Sequence, residues 1–209
     1  MSDVDFLFDD PEKPARGAPL VALAHGAGAA MDSPFMNAMA KGLAEAGVRV
    51  ARFEFPYMRA RRTGRRGPPD REPVLRDSWK AAIAALGGPE RLVIGGKSMG
   101  GRMASLVADE TGVRGLVCLG YPFHPPGQPE KLRTAHLAGL RTPTLIVQGT
   151  RDALGSRADV DGYQLSPHIH ILWLEDGDHS FKPRAASGHT ERGHLAAAVA
   201  AVAGFVKGL

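Results

Sequence analysis

The sequence is poor in cysteine, in aromatic residues and in long apolar runs. Cys118 is its only cysteine, so no disulfide can form within it, and the apolar surroundings GLVCLG favour a buried structural thiol. The first thirteen residues carry five acidic side chains and no apolar run that could span a bilayer. We therefore expect neither a secretory signal nor a membrane-spanning helix, and a cytoplasmic location.

The charge is modestly basic, with 26 lysines and arginines against 22 acidic residues. Much of the excess lies in the arginine-rich segment, residues 59–76, which holds seven arginines. This segment contains no aromatic residue, Tyr57 lying just before it, and its arginines form no regular helical stripe. We therefore expect a solvated segment or one beside a substrate site, and no nucleic-acid partner.

Apolar runs of strand length alternate with segments of helical periodicity along the chain. This alternation is typical of α/β folds, in which helices cover both faces of a mostly parallel sheet. The predicted strands are roughly 20–25, 49–55, 91–96, 113–120, 144–149 and 170–175, and the predicted helices are 34–46, 72–86, 101–111, 129–140 and 191–206. We predict one α/β domain over residues 1–209, with about six to seven strands and no large lid.

Ser98 lies between a predicted strand and a predicted helix. The run from Gly96 to Gly100 matches G-x-S-x-G, in which a sharp turn strains the serine and glycines avoid collisions with neighbouring backbone. We predict Ser98 as a nucleophile and the backbone N–H of Met99 as one donor of an oxyanion hole. A phosphate loop would need its first glycine at Arg91, and residues 92–95 predict a strand instead. An idle serine in a glycine-rich turn is the remaining alternative.

Two further residues follow later strands, in the order in which hydrolases on parallel sheets carry their acid and base. Asp152 comes just after the fifth predicted strand, and His179 lies in the loop DGDHSF after the last one. An imidazole there can take the Ser98 proton and return it to the leaving group, while the carboxylate fixes its tautomer. We predict a triad of Ser98, His179 and Asp152, with Asp159 and Asp161 as alternative acids.

The loop after the first predicted strand, HGAGAA, consists mostly of small residues. Since a substrate can approach its backbone, we predict the N–H of Ala27, with Gly28 next, as the second oxyanion donor. Open α/β sheets bind ligands beyond the carboxyl ends of their strands, which predicts five pocket residues: His25, Gly28, Tyr57, Phe123 and His124. No H-E-x-x-H or paired-cysteine motif occurs, so we expect neither a metal nor a cofactor.

Longer strings extend this pattern over nearly the whole chain: LAHGAG, FEFPYM with RRTGRRGPPDR, GGKSMGGRMAS, GYPFHPPG and DGDHSF. With them the sequence resembles the dienelactone-hydrolase-like clan of α/β hydrolases. It resembles more closely the group of testis-expressed and NSL-complex-subunit type α/β-hydrolase-like domains. The resemblance implies a minimal hydrolase core with matched roles on Ser98, Asp152 and His179. Dienelactone hydrolases carry cysteine where this sequence has Ser98, so lactone chemistry is not implied.

These features together predict a serine hydrolase that cleaves a small ester, thioester or similar acyl substrate, like a carboxylesterase or thioesterase. We expect the arginine-rich segment to lie beside the mouth of the site, where Arg65 and Arg66 would favour anionic substrates. Some relatives in the group look like scaffold subunits. The alternative is therefore a non-catalytic module that keeps the fold and binds a protein partner.

Overall fold

The computed structural model describes residues 4–13, 20–65 and 67–209, and a seven-stranded sheet forms the centre of this part of the chain. The strands are β1 (Phe6–Asp9), β2 (Leu20–Ala24), β3 (Arg49–Phe53), β4 (Leu92–Lys97), β5 (Gly115–Leu119), β6 (Thr144–Gly149) and β7 (Ile169–Leu174). Their order is β1-β3-β2-β4-β5-β6-β7, and only the β1–β3 pair is antiparallel. The predicted fold class is confirmed.

Helices cover both faces of this sheet. They are α1 (Pro34–Glu45), α2 (Pro56–Arg62), α3 (Glu72–Ala85), α4 (Met99–Ser105), α5 (Ala108–Thr111), α6 (Arg157–Val160) and α7 (Glu191–Gly208). Side chains of α3 and α4 belong to the core on one face, and those of α1 and α7 to the core on the other. Within the described residues, no helix is long and apolar enough to cross a bilayer.

Strand β2 shows how the sheet divides the two cores. Val21 and Leu23 belong to the core beneath α1 and α7, while Ala22 and Ala24 belong to the core beneath α3 and α4. This alternation follows from the two-residue period of a strand. Both faces are covered, so the central strands read as continuous apolar runs rather than alternating ones.

The core beneath α3 is organised around Trp79, which is fully buried. Its ring meets Phe53 of β3 edge to face with centroids 4.8 Å apart, and its indole N–H donates to the Gly100 carbonyl over 3.2 Å. On the same face the Cys118 thiol is buried, as predicted, and burial raises its pKa. Trp79 thus links α3 to the first turn of α4.

The helix predicted over 129–140 is wrong. Only Leu137–Gly139 is helical, as a single 3₁₀ turn. The backbone forms tertiary hydrogen bonds instead: Arg133 N donates to the Phe123 carbonyl over 2.7 Å, and Ser166 N donates to the Leu137 carbonyl over 3.0 Å. These tertiary hydrogen bonds satisfy backbone groups that a helix would have paired from residue i to residue i−4, so the segment does not form the predicted helix.

Four smaller differences separate the prediction from the structure. Strand β1 was missed because its four residues lie in an acidic stretch. Helix α2 was not predicted, and it begins at a proline, which suits a first helical position. The predicted helix 101–111 begins earlier and divides into α4 and α5, and the single-turn helix α6 was not predicted.

The packing of Trp79 predicts a large loss of stability on truncation. Trp79→Ala should lower the free energy of unfolding by about 3–5 kcal/mol, because it leaves a cavity and removes the indole hydrogen bond to the Gly100 carbonyl. Urea unfolding at a constant m-value measures this loss. The control is Leu132→Ala, at a side chain that is 50% exposed, which should change the free energy by less than about 0.5 kcal/mol. Equal losses in the two variants would contradict the prediction.

Candidate active site

Ser98 occupies the turn between β4 and α4. Its backbone has φ of 51° and ψ of −115°, a conformation that costs a non-glycine residue about 1–3 kcal/mol. The Ser98 N–H donates to the Leu119 carbonyl of β5 over 3.0 Å, and the Ser98 carbonyl accepts from Arg102 N over 3.0 Å. These bonds hold the strained turn, which places Ser98 beyond the carboxyl end of its strand.

The two motif glycines approach one atom of the neighbouring strand. A Cβ at Gly96 would lie 2.1 Å from the Ala24 carbonyl oxygen, and a Cβ at Gly100 would lie 2.5 Å from the same oxygen. Gly96 is directly opposite Ala24 in the parallel register of β2 and β4. Any larger residue at either position would push the turn away from the sheet, so both glycines are required for the position of Ser98.

The three residues predicted as a triad form a continuous hydrogen-bonded chain. His179 Nε2 lies 2.9 Å from Ser98 Oγ, and His179 Nδ1 lies 2.7 Å from Asp152 Oδ2. An ionised carboxylate only accepts hydrogen bonds, so Nδ1 carries the ring proton and Nε2 accepts from the serine hydroxyl. The Asp152 side chain is fully buried, whereas that of His179 is 29% exposed. This geometry is the one that a base-assisted nucleophile needs.

Asp152 is held by groups from its own strand and turn. Gln148 Nε2 donates to Asp152 Oδ2 over 2.9 Å, and the Leu154 N–H donates to Oδ1 over 2.8 Å. Gln148 is itself fixed, because its Oε1 accepts from Tyr121 N over 2.7 Å and its Nε2 also contacts the Tyr121 carbonyl. The carboxylate therefore has one orientation, with Oδ2 facing the imidazole.

The two alternative acids have other roles. Asp159 caps α6: its Oδ2 accepts from Ser156 N over 2.9 Å and from Ser156 Oγ over 2.6 Å, and these bonds lower the pKa of the carboxyl. Asp161 is an exposed residue at the C-terminal end of the same helix. Asp152 is the acid that reaches His179.

The two backbone N–H groups predicted as oxyanion donors lie beside Ser98. Met99 is the first residue of α4, where the N–H has no acceptor within the helix. Ala27 follows β2 in the loop 25–30. Both residues line one cavity together with Ser98.

The loop that carries Ala27 is shaped by two buried side chains. The Tyr57 hydroxyl donates to the Ala27 carbonyl over 2.9 Å, and the His25 ring bridges the Gly26 carbonyl at 2.6 Å and Phe55 N at 3.1 Å. Because Nε2 of His25 accepts from an N–H, its Nδ1 is the donor. Burial raises the pKa of Tyr57 to about 12 and lowers that of His25, so both stay neutral at pH 7.

Two cavities meet at Ser98. The arginine cavity, of about 330 Å³, is lined by Met99, Arg102, Met103, Arg133, Asp70 and Glu72, among others. The apolar cavity, of about 450 Å³, is lined by Gly28, Pro34, Phe35, Met36, Lys97 and His179, among others. Ala27 and Ser98 line both, and His179 lines only the apolar one. The site is therefore open on two sides of the serine.

Lys97 connects the nucleophile strand to the histidine loop. Its Nζ donates to the His179 carbonyl over 2.6 Å and lies 5.5 and 5.9 Å from the ring centroids of Phe35 and Phe181. Burial lowers the pKa of Lys97 to about 8, against the opposing effect of nearby carboxylates. The residue next to the serine thus holds the backbone of the residue that would act as its base.

The model of the alpha/beta hydrolase domain family matches residues 17–207. The chain belongs to this family. The expected resemblance to α/β hydrolases is confirmed over nearly the whole sequence. The closer likeness to the testis-expressed and NSL-complex-subunit group stays a prediction.

Solved structures of α/β hydrolases share the fold. An alpha-beta serine hydrolase homologue from Coxiella burnetii aligns with a TM-score of 0.71 at 20% identity, over 99% of this chain and 91% of that one. Dienelactone hydrolase from Anabaena variabilis aligns with a TM-score of 0.69 at 20% identity, over 98% of this chain and 91% of that one. The esterase domain of a Rhodothermus marinus protein gives 0.69 at 15% identity, over 98% of each chain. At these identities the likeness shows the fold alone.

Of the five predicted pocket residues, Gly28 lines the apolar cavity and the other four line neither cavity. His25 and Tyr57 are buried beneath the loop that they shape. Phe123 is fully buried against Tyr121, and the buried His124 pairs its Nδ1 with the Pro125 carbonyl at 2.9 Å. Side chains at strand ends were expected to face a ligand, but these four are needed to support the loops.

The described part of the arginine-rich segment contributes acids rather than arginines to the site. Asp70 and Glu72 line the arginine cavity, while Arg65 is exposed and lines neither cavity. Arg62 forms ion pairs with two acidic residues at 2.7 and 2.9 Å. Arg66 lies outside the described residues. The segment thus lies beside the site, but Arg65 lines neither cavity.

Four residues near Ser98 were missed by sequence reasoning: Lys97, Arg102, Arg133 and Gln148. Gln148 had a signal, because it is the polar residue inside the otherwise apolar strand TLIVQG. Lys97 also had a sequence signal, since it is a charged residue at the end of a buried strand and directly precedes the serine. No sequence signal marked Arg102 and Arg133, because these two residues approach one another only in the tertiary structure.

The burial of Lys97 predicts a pH dependence of stability. Its pKa is lowered from 10.5 to about 8 on folding, so between these values the unfolded chain binds more protons and stability rises with pH. Relative to Lys97→Met, the free energy of unfolding of the wild type should therefore rise by up to about 3 kcal/mol from roughly pH 7 to pH 11. Urea unfolding across this range measures it.

The matched control is Lys41→Met, since the Lys41 side chain is 76% exposed. The difference in free energy of unfolding between Lys41→Met and the wild type should stay constant over the same pH range. A constant difference for Lys97→Met as well would contradict the prediction.

Proposed function

We propose that this chain is a serine hydrolase in which Ser98 attacks the carbonyl carbon of a small ester, thioester or similar acyl substrate. The observation that carries the proposal is the hydrogen-bonded chain from Ser98 through His179 to Asp152 at the point where the two cavities meet. The strained backbone of Ser98 adds support, since such strain concentrates at functional residues.

The proposed reaction has two halves. In the first, His179 Nε2 takes the hydroxyl proton as Ser98 Oγ bonds to the carbonyl carbon, and the imidazolium then protonates the departing alcohol or thiol. In the second, water attacks the acyl-enzyme with the same base and releases the acid. Asp152 stays ionised and stabilises the imidazolium in both halves. The N–H groups of Met99 and Ala27 stabilise the oxyanion.

A second serine–histidine hydrogen bond occurs in this structure, between Ser105 Oγ and His136 Nε2 at 2.8 Å. The Ser105 hydroxyl donates to the Arg102 carbonyl over 2.7 Å, so His136 is the donor in this pair and cannot act as a base toward the serine. Burial lowers the pKa of His136 to about 4, and no carboxylate among the described residues lies within ion-pair distance of it. Ser105 is also buried. These features favour Ser98.

A fluorophosphonate probe tests the nucleophile directly. The wild type should be labelled, because Ser98 is hydrogen-bonded to a neutral imidazole and faces open cavities. Ser98→Ala should not be labelled and should lose roughly a thousandfold or more of esterase activity. Ser105→Ala, the matched control, should be labelled like the wild type. Intact-protein mass spectrometry and phenyl ester hydrolysis provide the readouts. An unlabelled wild type would favour the non-catalytic, partner-binding alternative.

The acid is tested by Asp152→Asn. The amide nitrogen can donate to His179 and stabilise the tautomer in which Nε2 carries the proton, so kcat should fall roughly 10³- to 10⁴-fold with little change in KM. Asp159→Asn is the matched control and should change kcat by less than about threefold, since its carboxylate caps α6. Equal losses in the two variants would show that the assigned acid is wrong.

A further inference from the structure

Two guanidinium groups line the arginine cavity, and one has no acidic partner. Arg102 follows Ser98 by one helical turn, and its Nη2 donates to Glu72 Oε2 over 2.9 Å. Its Nε is buried and has no hydrogen-bond partner among the described residues. Arg133 comes from the loop after β5, and none of the described carboxylates lies within ion-pair distance of its side chain. Arg133 therefore lines the cavity without a carboxylate partner among the described residues, whereas the unpaired Nε of Arg102 is buried.

The charges around Arg133 do not compensate it. Burial and the like charge of Arg102 both lower its pKa, so the strongest charged influence on it is repulsive. The other acid of the cavity, Asp70, accepts from the Tyr57 N–H over 2.8 Å and is engaged there. A partly buried guanidinium beside a second one is stabilised by an anion that binds both. The substrate is the natural source of that anion.

The position of His179 decides which half of the substrate lies in each cavity. The imidazolium must protonate the leaving group, so the leaving group lies within reach of Nε2. His179 lines the apolar cavity and not the arginine cavity. The alcohol or thiol part therefore lies in the apolar cavity, next to Phe35 and Met36. The acyl part lies in the arginine cavity.

We propose that the acyl part of the substrate carries a carboxylate, which the guanidinium groups of Arg133 and Arg102 bind in the arginine cavity. The substrates are then monoesters or monothioesters of short dicarboxylic acids with an apolar leaving group. A guanidinium matches a carboxylate in shape and can bind both of its oxygens. The cavity of about 330 Å³ suits a short chain rather than a fatty acyl group. The assignment rests on the proposed role of Ser98.

Isomeric esters separate the two halves of the site. Phenyl hydrogen glutarate carries its carboxylate on the acyl side, whereas 4-(butanoyloxy)benzoate has the same atoms with the carboxylate on the leaving-group side. Phenyl pentanoate is the neutral reference for the acyl chain. We expect kcat/KM for the glutarate monoester to exceed that for phenyl pentanoate by on the order of tenfold or more, because a charge-assisted hydrogen bond forms. The benzoate isomer should show no such gain.

Variants then assign the preference to a residue. Arg133→Met should lower the ratio of the two kcat/KM values, glutarate monoester to pentanoate, by roughly tenfold or more, and Arg133→Lys should retain part of it. Arg65→Met, a surface arginine from the segment first expected to bind anions, is the control and should leave the ratio unchanged. Free glutarate should also inhibit pentanoate hydrolysis competitively in the wild type and less in Arg133→Met.

Each outcome has a distinct meaning. A labelled, active enzyme that hydrolyses phenyl pentanoate as fast as the glutarate monoester would overturn the carboxylate proposal alone. Equal losses on both substrates in Arg133→Met and in Arg133→Lys would show that the arginine has a structural role, which also overturns it. A protein that neither reacts with fluorophosphonate nor hydrolyses any of the three esters would overturn the proposed function and this inference together.

Discussion

The close packing of α4 against β2 is the constraint on which the rest of the site depends. One carbonyl oxygen, that of Ala24, approaches both motif glycines so closely that neither Gly96 nor Gly100 has room for a side chain. This contact sets how sharply the chain turns at Ser98 and where α4 begins. It therefore also sets the direction of the Met99 N–H and the position of Arg102 one helical turn later. The proposed nucleophile, oxyanion donor and acyl-side cation are thus placed by one backbone contact.

Neutral polar side chains surround the charged part of the site and hold it in place through hydrogen bonds. Gln148, Tyr57 and His25 are buried and hydrogen-bonded, and each fixes a loop or a carboxylate without adding a charge of its own. Asp152 can then be fully buried and remain oriented, because its oxygens accept from Gln148, Leu154 and His179. A buried acid without such partners would be costly and would favour its neutral form.

The sheet and the hydrogen-bonded chain of Ser98, His179 and Asp152 could be predicted from the sequence, whereas the cavities could not. The central strands are buried on both faces and so stand out as apolar runs. Ser98, Asp152 and His179 follow three parallel strands, β4, β6 and β7, and a parallel sheet brings those strand ends to one edge. His25, Tyr57, Phe123 and His124 also follow strands, but they pack inward, and nothing local distinguishes supporting side chains from lining ones. The helix predicted over 129–140 failed for a similar reason, because the backbone there forms hydrogen bonds with residues outside the segment, which local sequence does not reveal.

The bond from Lys97 to the His179 carbonyl has a mechanical consequence. It ties the loop after β7 to the residue that precedes Ser98, although β7 and β4 are separated in the sheet by β5 and β6. The loop that carries His179 is therefore bonded to the serine turn as well as to its own strand. The bond limits how far the backbone of His179 can move away from the serine turn, although the His179 side chain is 29% exposed.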